Sequence, residues 1–418
     1  MKFIHAADIH LDSPLSGLAT YKDAPAELLR TATRDAFTNL VDEAIDEAVD
    51  FMVIAGDLYD GTWKDYNTGH FFCREMGRLN KAGIPVFLLY GNHDAESEMT
   101  KKLVLPPNVH VFDARKPCTF RIEELGVALH GRSFKEGATT ENLAVSYPAP
   151  VPGWLNIGVL HTALEGNASH ATYAPCSLAE LTAKGYGYWA LGHVHEHAIL
   201  QDAPWVVFPG NLQGRHIRET GPRGAVLVSA DETGVHTVER LFVDVLRWHV
   251  VDVDAGGAYT LDEVVRLVGQ AFEALVSNSS EKHYLSVRVN LKGKTAVHGE
   301  LFGREMQVRA EVIGQAAAVG YDRLWVEKVR IETEPLESVE EIIARSDAIA
   351  DLQILLESAP QDEGLLASLT QDLRQLVDKV PIDLVQAIPE LQAIRDGNVA
   401  RILQTVSPGL LAQLATAS

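Results

Sequence analysis

The stretch MKFIHAADIHLDSPL (Met1–Leu15) indicates the fold class of the chain. Lys2–Ala7 is a short apolar run rich in strand-forming residues, and Asp8 and His10 follow it directly. In α/β proteins, polar residues at the carboxyl end of an apolar strand are typical of a functional site. The stretch therefore predicts an α/β domain with a polar site at the edge of its sheet.

The same pattern recurs along the first half of the chain. Further apolar runs end in polar residues at Phe51–Ala55, Pro85–Tyr90, Ile157–Leu160 and Tyr188–Leu191. Helical patterns separate several of them, with apolar residues near a 3.6-residue period from Leu28 to Ala48 and a further segment around Phe71–Asn80. Fully apolar strands that alternate with helices indicate sheets buried on both faces, so residues 1–243 are predicted to form a layered α/β domain.

Two shorter regions follow this domain. Residues 244–333 contain a helix start at Thr260, where Glu263 completes the spacing of a capping box, and a strand with alternating apolar residues from Leu285 to Leu291. They are predicted to form a small α/β domain. Residues 334–418 have a purely helical pattern and are predicted to form a helical region.

Composition limits the classes of function. A chain of 418 residues with 46% hydrophobic residues is typical of a globular protein with several domains, and a net charge of −21 argues against a generally basic nucleic-acid binder. Cys73, Cys118 and Cys176 are odd in number and widely spaced, which indicates reduced thiols and not a disulfide framework. The sequence shows neither a signal peptide nor an apolar run long enough for a membrane span, so we expect a cytoplasmic protein without a membrane partner.

Five short motifs follow the predicted strands in order. They are Asp8-x-His10, Gly56-Asp57-x-x-Asp60, Gly91-Asn92-His93-Asp94, His161 and Gly192-His193-x-His195. Each motif alone is more typical of a turn or of a satisfied polar group in a core. Together they place compatible metal ligands at the ends of apolar strands, so the ordered set predicts a metal centre.

The ligand types indicate which metals this centre binds. The predicted ligands are Asp8, His10, Asp57, Asn92, His161, His193 and His195. Carboxylate, imidazole and amide oxygen suit Mn²⁺, Fe²⁺ or Zn²⁺, and the lack of thiolates in the set disfavours a structural zinc. Seven ligands are too many for one tetrahedral ion but suit two divalent ions that share a carboxylate. Asp57 is the candidate for that bridge because it lies between the two groups in sequence order.

Spacing within the motifs predicts which donors act together. Residues i and i+2 of a strand point to the same side, so His193 and His195 are predicted to present two donors to one place. The same reasoning applies to Asp8 and His10.

Asn92 and His93 are adjacent, so an extended backbone cannot turn both side chains toward one metal. His93 is therefore predicted to face the substrate, either to position the phosphate or to give a proton to the leaving oxygen. Asp60 and Asp94 are candidates to orient the imidazoles, although Asp60 fits an ordinary turn equally well.

These motifs resemble those of the calcineurin-like metallophosphoesterases, and within them the DNA-repair nucleases of the SbcD and Mre11 type. The opening IHAADIHLDSPL (Ile4–Leu15) and the later FPGNLQGRHIRETGPRG (Phe208–Gly224) are similar to the YhaO branch. The likeness covers about the first 224 residues, and the rest of the chain matches in architecture alone. It implies a β-sandwich flanked by helices, a capping domain at 244–333 and a partner-binding helical region at 334–418.

The resemblance also implies individual roles. One ion would be held by Asp8, His10, Asp57 and His195, and the other by Asp57, Asn92, His161 and His193. His93 and Asp60 are the candidate catalytic residues. Archaeal Mre11 proteins carry a histidine where this chain has Asp60, which leaves more of the acid–base chemistry to His93. The implied function is a Mn²⁺-dependent DNA exonuclease or endonuclease that works with a Rad50-like or SbcC-like ATPase bearing coiled coils.

Two other functions stay open on the sequence. Cyclic-nucleotide diesterases and small-molecule phosphatases of the same superfamily share the metal motifs, so the ligands alone cannot choose the substrate. A subunit that keeps the site but serves an ATPase as a structural partner is a non-enzymatic alternative. The chain length and the two appended regions favour the nuclease.

A basic cluster is predicted near the site. Its members are Arg215, His216, Arg218 and Arg223. The cluster either contacts the DNA backbone through charge-assisted bonds or forms a solvated loop in which Arg218 pairs with Glu219.

An apolar stripe follows the second motif. It comprises Trp63, Tyr66, Phe71, Phe72 and Met76. Such a stripe on a helix predicts either a homodimer contact, as in the related nucleases, or ordinary core packing.

The C-terminal region is acidic, with 5 basic and 15 acidic residues from Ile331 to Ser418. A seam of 3,4,3,4 spacing is formed by Leu366, Leu369, Leu373, Leu376 and Val380. This spacing is typical of a helix that packs along another helix. The seam either docks a basic coiled-coil base of the ATPase or packs on its own domain.

Overall fold

The computed structural model describes residues 1–15, 26–60, 66–96, 103–164, 173–280, 282–336, 347–380, 385, 389–403 and 407. Trp63 of the predicted stripe lies outside these ranges. Within them, none of the helices combines the length and the apolar character that crossing a bilayer requires. The chain forms two compact units, Met1–His249 with Glu281–Ser286 and Val250–Ser280 with Val287–Ser418.

The first unit contains two six-stranded sheets. Their strands are β1 (Lys2–Ala6), β2 (Phe51–Ala55), β3 (Val86–Leu89), β4 (Val109–Val111), β5 (Cys118–Ile122), β6 (Val127–Gly131), β7 (Leu155–His161), β8 (Tyr188–Gly192), β9 (Ala198–Asp202), β10 (Trp205–Phe208), β11 (Gly224–Asp231) and β12 (Gly234–Phe242). The orders are β12-β11-β1-β2-β3-β4 and β5-β6-β7-β8-β10-β9. β1 to β4 are parallel, as are β6, β7, β8 and β10, so their carboxyl ends meet at one edge of each sheet.

Helices cover the outer faces of both sheets. They are α1 (Ala26–Asp46), α2 (Tyr66–Lys81), α3 (Asn92–Glu96) and α4 (Leu178–Ala183), with 3₁₀ turns at Glu123–Leu125 and Ala144–Ser146. Successive side chains of β1 point to opposite faces of its sheet and enter two separate parts of the core. Phe3 packs between the sheets, whereas Ile4 packs against α1 and α2. On the other side, Leu181 of α4 packs on Trp189 of β8. The predicted layered α/β fold is confirmed.

The apolar stripe on α2 forms part of the core. Phe71 is 7% exposed, and Phe72 and Met76 are fully buried beneath α1. Burial of each such side chain contributes about 1.5–3 kcal/mol to folding. Among the members of the stripe that the structure describes, Tyr66 faces solvent and is 58% exposed. The stripe is therefore mainly core packing, and it no longer supports the predicted homodimer.

A three-stranded sheet follows in the order β13-β14-β15. Its elements are β13 (Leu246–Asp254), α5 (Leu261–Ser277), β14 (Tyr284–Thr295), α6 (His298–Gly303), α7 (Glu305–Gly320) and β15 (Leu324–Pro335). Thr260 caps α5 by accepting the backbone N–H of Glu263 at 3.3 Å, while the Glu263 carboxylate reaches back to the N–H of Tyr259 at 2.7 Å. The alternating residues from Leu285 to Leu291 are fully buried, as their period predicts.

The C-terminal region is helical in its described parts. It contains α8 (Asp347–Ser358), a 3₁₀ turn at Ala359–Gln361, α9 (Glu363–Val377) and α10 (Pro389–Arg395). Val377, Val385 and Ile394 form a small core, against which Leu373 and Val380 of the predicted seam pack. Two of the five seam residues therefore pack within the region itself. The division at residues 243 and 333 stays a prediction.

Candidate metal centre

The ends of five strands carry the predicted ligands. Asp8 and His10 follow β1, Asp57 follows β2, Asn92 begins α3 after β3, His161 ends β7, and His193 and His195 follow β8. Every one of these side chains is buried except that of His195, which is half-buried. Motifs far apart in sequence meet because parallel strands bring their carboxyl ends to one edge of each sheet, and the two sheets pack against each other.

Asp8, His10 and His195 form the first group, with ligand atoms within 4.8 Å of one another. Nε2 of His10 lies 3.2 Å from Nε2 of His195, which lies 3.8 Å from Oδ1 of Asp8. On the far side of the ring, Nδ1 of His195 is 2.7 Å from Oε1 of Glu219. Because Nδ1–H donates to this carboxylate, Nε2 of His195 carries a lone pair that points toward His10.

Asp57, His161 and His193 form the second group, again within 4.8 Å. Nε2 of His161 lies 3.4 Å from Oδ2 of Asp57 and 3.0 Å from Oδ1 of Asn92. Nδ1 of His161 lies 3.0 Å from the carbonyl oxygen of Ala55 and donates to it. Nε2 therefore presents its lone pair to two further oxygens, and Asn92 joins this group through its amide oxygen.

Asp57 lies between the two groups. Its Oδ2 is 4.0 Å from Nε2 of His10 and 3.4 Å from Nε2 of His161. Burial raises the pKa of Asp57, but the His161 imidazole outweighs burial and holds this pKa well below its ordinary value. A carboxylate that is ionised at this position fits the predicted bridge.

His193 and His195 belong to different groups, so the prediction from their i, i+2 spacing is wrong. The backbone at His193 has φ 101° and is not extended, which turns the two imidazoles apart. Asp8 and His10 do share a group, but both have left-handed backbone, with φ 50° and 46°. Strained residues of this kind collect at functional sites, and here the strain aims the ligands.

The donor set fits two divalent cations. Nε2 of His195 faces Nε2 of His10, and Nε2 of His161 faces oxygens of Asp57 and Asn92, so each contact needs a proton or a metal ion between its atoms. Burial lowers the pKa of His161, but the Asp57 carboxylate outweighs burial and raises it to about 9. The site therefore requires positive charge, which a metal ion at each group would supply.

Glycines in the motifs are required by close approach. A Cβ atom on Gly56 would lie 2.3 Å from Nδ1 of His161, and one on Gly91 would lie 2.4 Å from Oδ1 of Asp57. Both distances are far below ordinary van der Waals contact. The glycines thus let the loops after β2 and β3 pass directly against the ligands.

Asp60 lies between two imidazoles and is more than a turn residue. Its Oδ1 is 3.3 Å from Nδ1 of His93 and 3.7 Å from Nδ1 of His10, which has no hydrogen-bond partner among the described residues. The neighbouring His10 imidazole holds the pKa of Asp60 well below its ordinary value. The side chain of His93 is 38% exposed, so it can meet a substrate while Asp60 contacts its Nδ1.

Asp94 joins two loops. Its carboxylate accepts backbone N–H groups of Leu58 at 3.1 Å, Tyr59 at 2.9 Å and Gly91 at 3.0 Å. These bonds fix the loops after β2 and β3 against each other. The sequence reasoning predicted contact with an imidazole and did not anticipate this role.

Arg223 cannot bind DNA as predicted. Its side chain is 4% exposed, and its guanidinium donates to the carbonyl oxygens of His195 and Thr220 and pairs with Glu196 at 2.9 Å. Arg223 thus holds the loop after β10 to the loop after β8. The prediction that Arg223 contacts DNA is wrong.

The other members of the basic cluster differ in exposure. The Arg215 side chain is 16% exposed, whereas that of His216 is 38% exposed and Arg218 lies at the surface. Among the described ion pairs, none joins Arg218 to Glu219, which contacts His195 instead. His216 and Arg218 remain accessible.

Glu219 is the residue that sequence reasoning missed. Besides His195, it accepts the backbone N–H of Arg215 at 2.7 Å and the side-chain amide of Asn211 at 3.0 Å. Burial raises the pKa of Glu219, but the bond from His195 outweighs burial and keeps this pKa well below its ordinary value. A signal existed, because Glu219 is the single acidic residue in the basic stretch Phe208–Gly224.

Comparison with known proteins agrees with this arrangement. The sequence model of the calcineurin-like phosphoesterases matches residues 1–197, and that of the middle domain of metallophosphoesterase YhaO matches residues 248–334. The chain is 33% identical to the uncharacterized metallophosphoesterase YhaO of Bacillus subtilis (strain 168) over 297 residues. This aligned region covers 70% of this chain and 72% of that protein.

More distant relatives are two proteins named DNA double-strand break repair protein Mre11. The one from Sulfurisphaera tokodaii is 24% identical over 307 residues, 70% of this chain and 74% of that protein. The one from Methanopyrus kandleri is 25% identical over 405 residues, 87% of this chain and 85% of that protein. From the match to YhaO and the family models together, it follows that this chain belongs to the calcineurin-like phosphoesterases, in the family of the metallophosphoesterase YhaO.

Proposed function

We propose that this metallophosphoesterase is a cytoplasmic phosphodiesterase that cleaves DNA with two divalent ions, of which Mn²⁺ is the first candidate. The observation that carries the proposal is the pair of donor groups on either side of Asp57. Asp8, His10 and His195 would hold one ion and Asn92, His161 and His193 the other. When bound, two such ions supply Lewis-acid activation of water and neutralise charge on the phosphate.

His93 is proposed as the catalytic residue that gives a proton to the leaving oxygen. Its ring is accessible, while Asp60 at 3.3 Å contacts Nδ1 on the inner side. This arrangement leaves Nε2 for the substrate. A general acid of this kind contributes about 10²–10⁴-fold to the rate.

DNA is proposed as the substrate on two grounds. The relatives named Mre11 match 70% and 87% of this chain, well beyond the metal motifs. In addition, the accessible His216 and Arg218 lie within a few residues of Glu219, which contacts the ligand His195. An exposed guanidinium and an accessible imidazole beside the centre suit the phosphates of a nucleic-acid backbone.

Hydrolysis assays test the substrate. The protein would be given bis(p-nitrophenyl) phosphate and then labelled single- and double-stranded DNA, each with Mn²⁺, Mg²⁺ or Zn²⁺. We expect cleavage of the diester and of DNA, strongest with Mn²⁺, and loss of both in Asp57→Ala. Cleavage of the small diester without DNA would favour a small-molecule or cyclic-nucleotide phosphoesterase. Cleavage of neither would favour a structural subunit of an ATPase complex.

A second part of the proposal concerns the partner. Residues 244–333 would form a capping domain, and residues 334–418 would dock a Rad50-like ATPase with coiled coils. The excess of acidic over basic residues suits a basic partner better than DNA. On α8, Ile354 and Leu355 are 64% and 57% exposed, which leaves apolar area for a partner helix.

A truncation after residue 335 tests this docking. The shortened protein should keep its activity on bis(p-nitrophenyl) phosphate, because the metal centre lies in the first unit. It should lose co-purification with the ATPase. Unchanged affinity for the ATPase would assign these helices a purely structural role, as the packing of Leu373 and Val380 already suggests for part of the seam.

A further inference from the structure

Three contacts connect the loop that contains Glu219 to His93. Nη1 of Arg215 donates to the hydroxyl of Ser13 at 3.2 Å, and that hydroxyl donates to Oδ2 of Asp60 at 2.8 Å. The other oxygen of Asp60, Oδ1, lies 3.3 Å from Nδ1 of His93. We propose that Ser13 and Arg215 are positioning residues, which hold Asp60 so that it orients His93 toward the substrate.

The direction of each bond in this chain is fixed by chemistry. A guanidinium can only donate and a carboxylate can only accept, so the Ser13 hydroxyl must accept from Arg215 and give its single proton to Asp60. Ser13 is 6% exposed, so water does not readily replace either partner. In this series of contacts, the neutral hydroxyl of Ser13 thus connects the Arg215 cation to the Asp60 carboxylate.

Asp60 needs such support because its side chain is 29% exposed and its Oδ1 lies between two rings. That oxygen is 3.3 Å from His93 and 3.7 Å from His10. With Oδ2 held by Ser13, rotation of the carboxylate is restricted and Oδ1 stays beside His93. Without this bond, the carboxylate is free to turn toward water, and the ring of His93 loses its inner partner.

Arg215 is itself anchored at the metal centre. Its backbone N–H donates to Glu219 at 2.7 Å, and its Nη2 lies 3.8 Å from the same carboxylate. Glu219 also contacts the ligand His195 at 2.7 Å. One short loop therefore supports a metal ligand on one side and the proposed catalytic imidazole on the other.

The inference rests on the proposed function, because it requires His93 to act at the leaving oxygen. An oxygen of the attacking water bonds to phosphorus and gives up its proton to solvent, while the bond between phosphorus and the leaving oxygen breaks. The electron pair of the broken bond passes to the leaving oxygen, which takes a proton from Nε2 of His93. Proton transfer depends on the angle and distance of the donor. A loosely held ring should therefore slow the cleavage of esters whose leaving oxygen is strongly basic.

Two esters of thymidine 5′-phosphate separate this effect from general damage. The p-nitrophenyl ester has a weakly basic leaving oxygen that departs without a proton, whereas the phenyl ester has a more basic one. For Ser13→Ala we expect kcat on the phenyl ester to fall about tenfold, a part of the whole effect of a general acid. On the p-nitrophenyl ester, kcat should change less than about twofold for the same reason. Ser13→Thr keeps the hydroxyl and should restore kcat on the phenyl ester to near the wild-type value.

Three further measurements make the test decisive. Arg215→Gln removes the guanidinium that donates to Ser13 but leaves Asp60 unchanged, and it should show the same selective loss of kcat on the phenyl ester. This variant tests the proposal even if Ser13→Ala does not fold. Metal content by mass spectrometry should be the same in all variants. His93→Asn should show the largest selective loss. If it slows both esters equally or neither, the proposed role of His93 fails. If His93→Asn is selective while Ser13→Ala and Arg215→Gln match the wild type, the positioning role is overturned.

Discussion

The Nε2 atoms of His10 and His195 face each other at 3.2 Å, inside a site where His10 is 1% exposed. The far nitrogen of His195 donates to Glu219, so the facing nitrogen carries a lone pair. Two imidazoles in this relation attract when a proton or a metal ion lies between the two nitrogens. The fold thus places the two rings where one metal ion would contact both nitrogens.

His195→Ala should remove one ion and keep the other. The second group, around Asp57 and His161, does not depend on His195. We expect the metal content, measured after dialysis against Mn²⁺, to fall from two ions per chain to one. His236→Ala is the matched control, because His236 has a 50% exposed side chain and pairs with Asp231. Two ions in His195→Ala would contradict the division into groups.

Glu219→Gln should weaken the first ion without removing a ligand. Gln keeps the shape of the side chain but loses the charge that orients His195 through the 2.7 Å contact. Loss of such an outer partner typically lowers metal affinity by about 10–100-fold. Titration calorimetry with Mn²⁺ measures the change. Glu196→Gln, at an acid whose side chain is 71% exposed, should bind as the wild type does. Equal affinity in both variants would argue against this role of Glu219.

The fold was largely predictable because its strands are buried on both faces. Runs such as Phe51–Ala55 are apolar throughout and bounded by glycine and aspartate, and β2 has these bounds. The stripe on α2 was ambiguous for a physical reason. Aromatic residues at helical spacing fit a core and a dimer contact equally well, and only the position of α1 over Phe72 decides between them.

The site was predictable in its members but not in its geometry. The i, i+2 rule assumes extended backbone, and it failed at His193 because the chain there has positive φ. Glu219 was missed because it contacts a ligand 24 residues away, which no local spacing reveals. Arg223 was assigned to DNA because a sequence shows charge but not burial. In each case long-range packing decides, and a short motif does not contain it.

Gly91→Ala should disrupt the centre although it adds one methyl group. The new Cβ would meet Oδ1 of Asp57 at 2.4 Å and the backbone nitrogen of Asp57 at 2.9 Å. Overpacking of this kind costs about 1–3 kcal/mol of stability, and here it would also displace the carboxylate that we propose as the bridge. Gly77→Ala on α2 is the control, because its Cβ would meet nothing within 4 Å. Titration calorimetry should show weaker Mn²⁺ binding in Gly91→Ala. Urea unfolding should show that Gly77→Ala raises the free energy of unfolding by up to about 1 kcal/mol. Normal Mn²⁺ binding by Gly91→Ala would show that the loop can move aside.

Acid sensitivity should depend on His5, which is fully buried beneath the centre. Its Nε2 lies 3.1 Å from the carbonyl oxygen of Leu191, and its Nδ1 lies 3.0 Å from the hydroxyl of Tyr188. Burial lowers the pKa of His5 from 6.5 to about 3. In the unfolded chain this imidazole takes up a proton near pH 6.5, whereas the folded protein resists protonation until about pH 3.

Between these values the unfolded state binds more protons, so the free energy of unfolding must fall as the pH falls. The contribution of His5 is complete above pH 6.5 and decreases by up to about 1.4 kcal/mol for each pH unit below it. His5→Gln removes the titrating group while keeping a donor and an acceptor, so its stability should change less steeply with pH. Urea unfolding of metal-free protein at several values from pH 7 to about pH 4 measures the two slopes. Tyr188→Phe removes the hydroxyl partner but leaves the imidazole, so it should lower stability at every pH and keep the steep slope. Parallel slopes in the wild type and His5→Gln would show that other groups carry the acid sensitivity.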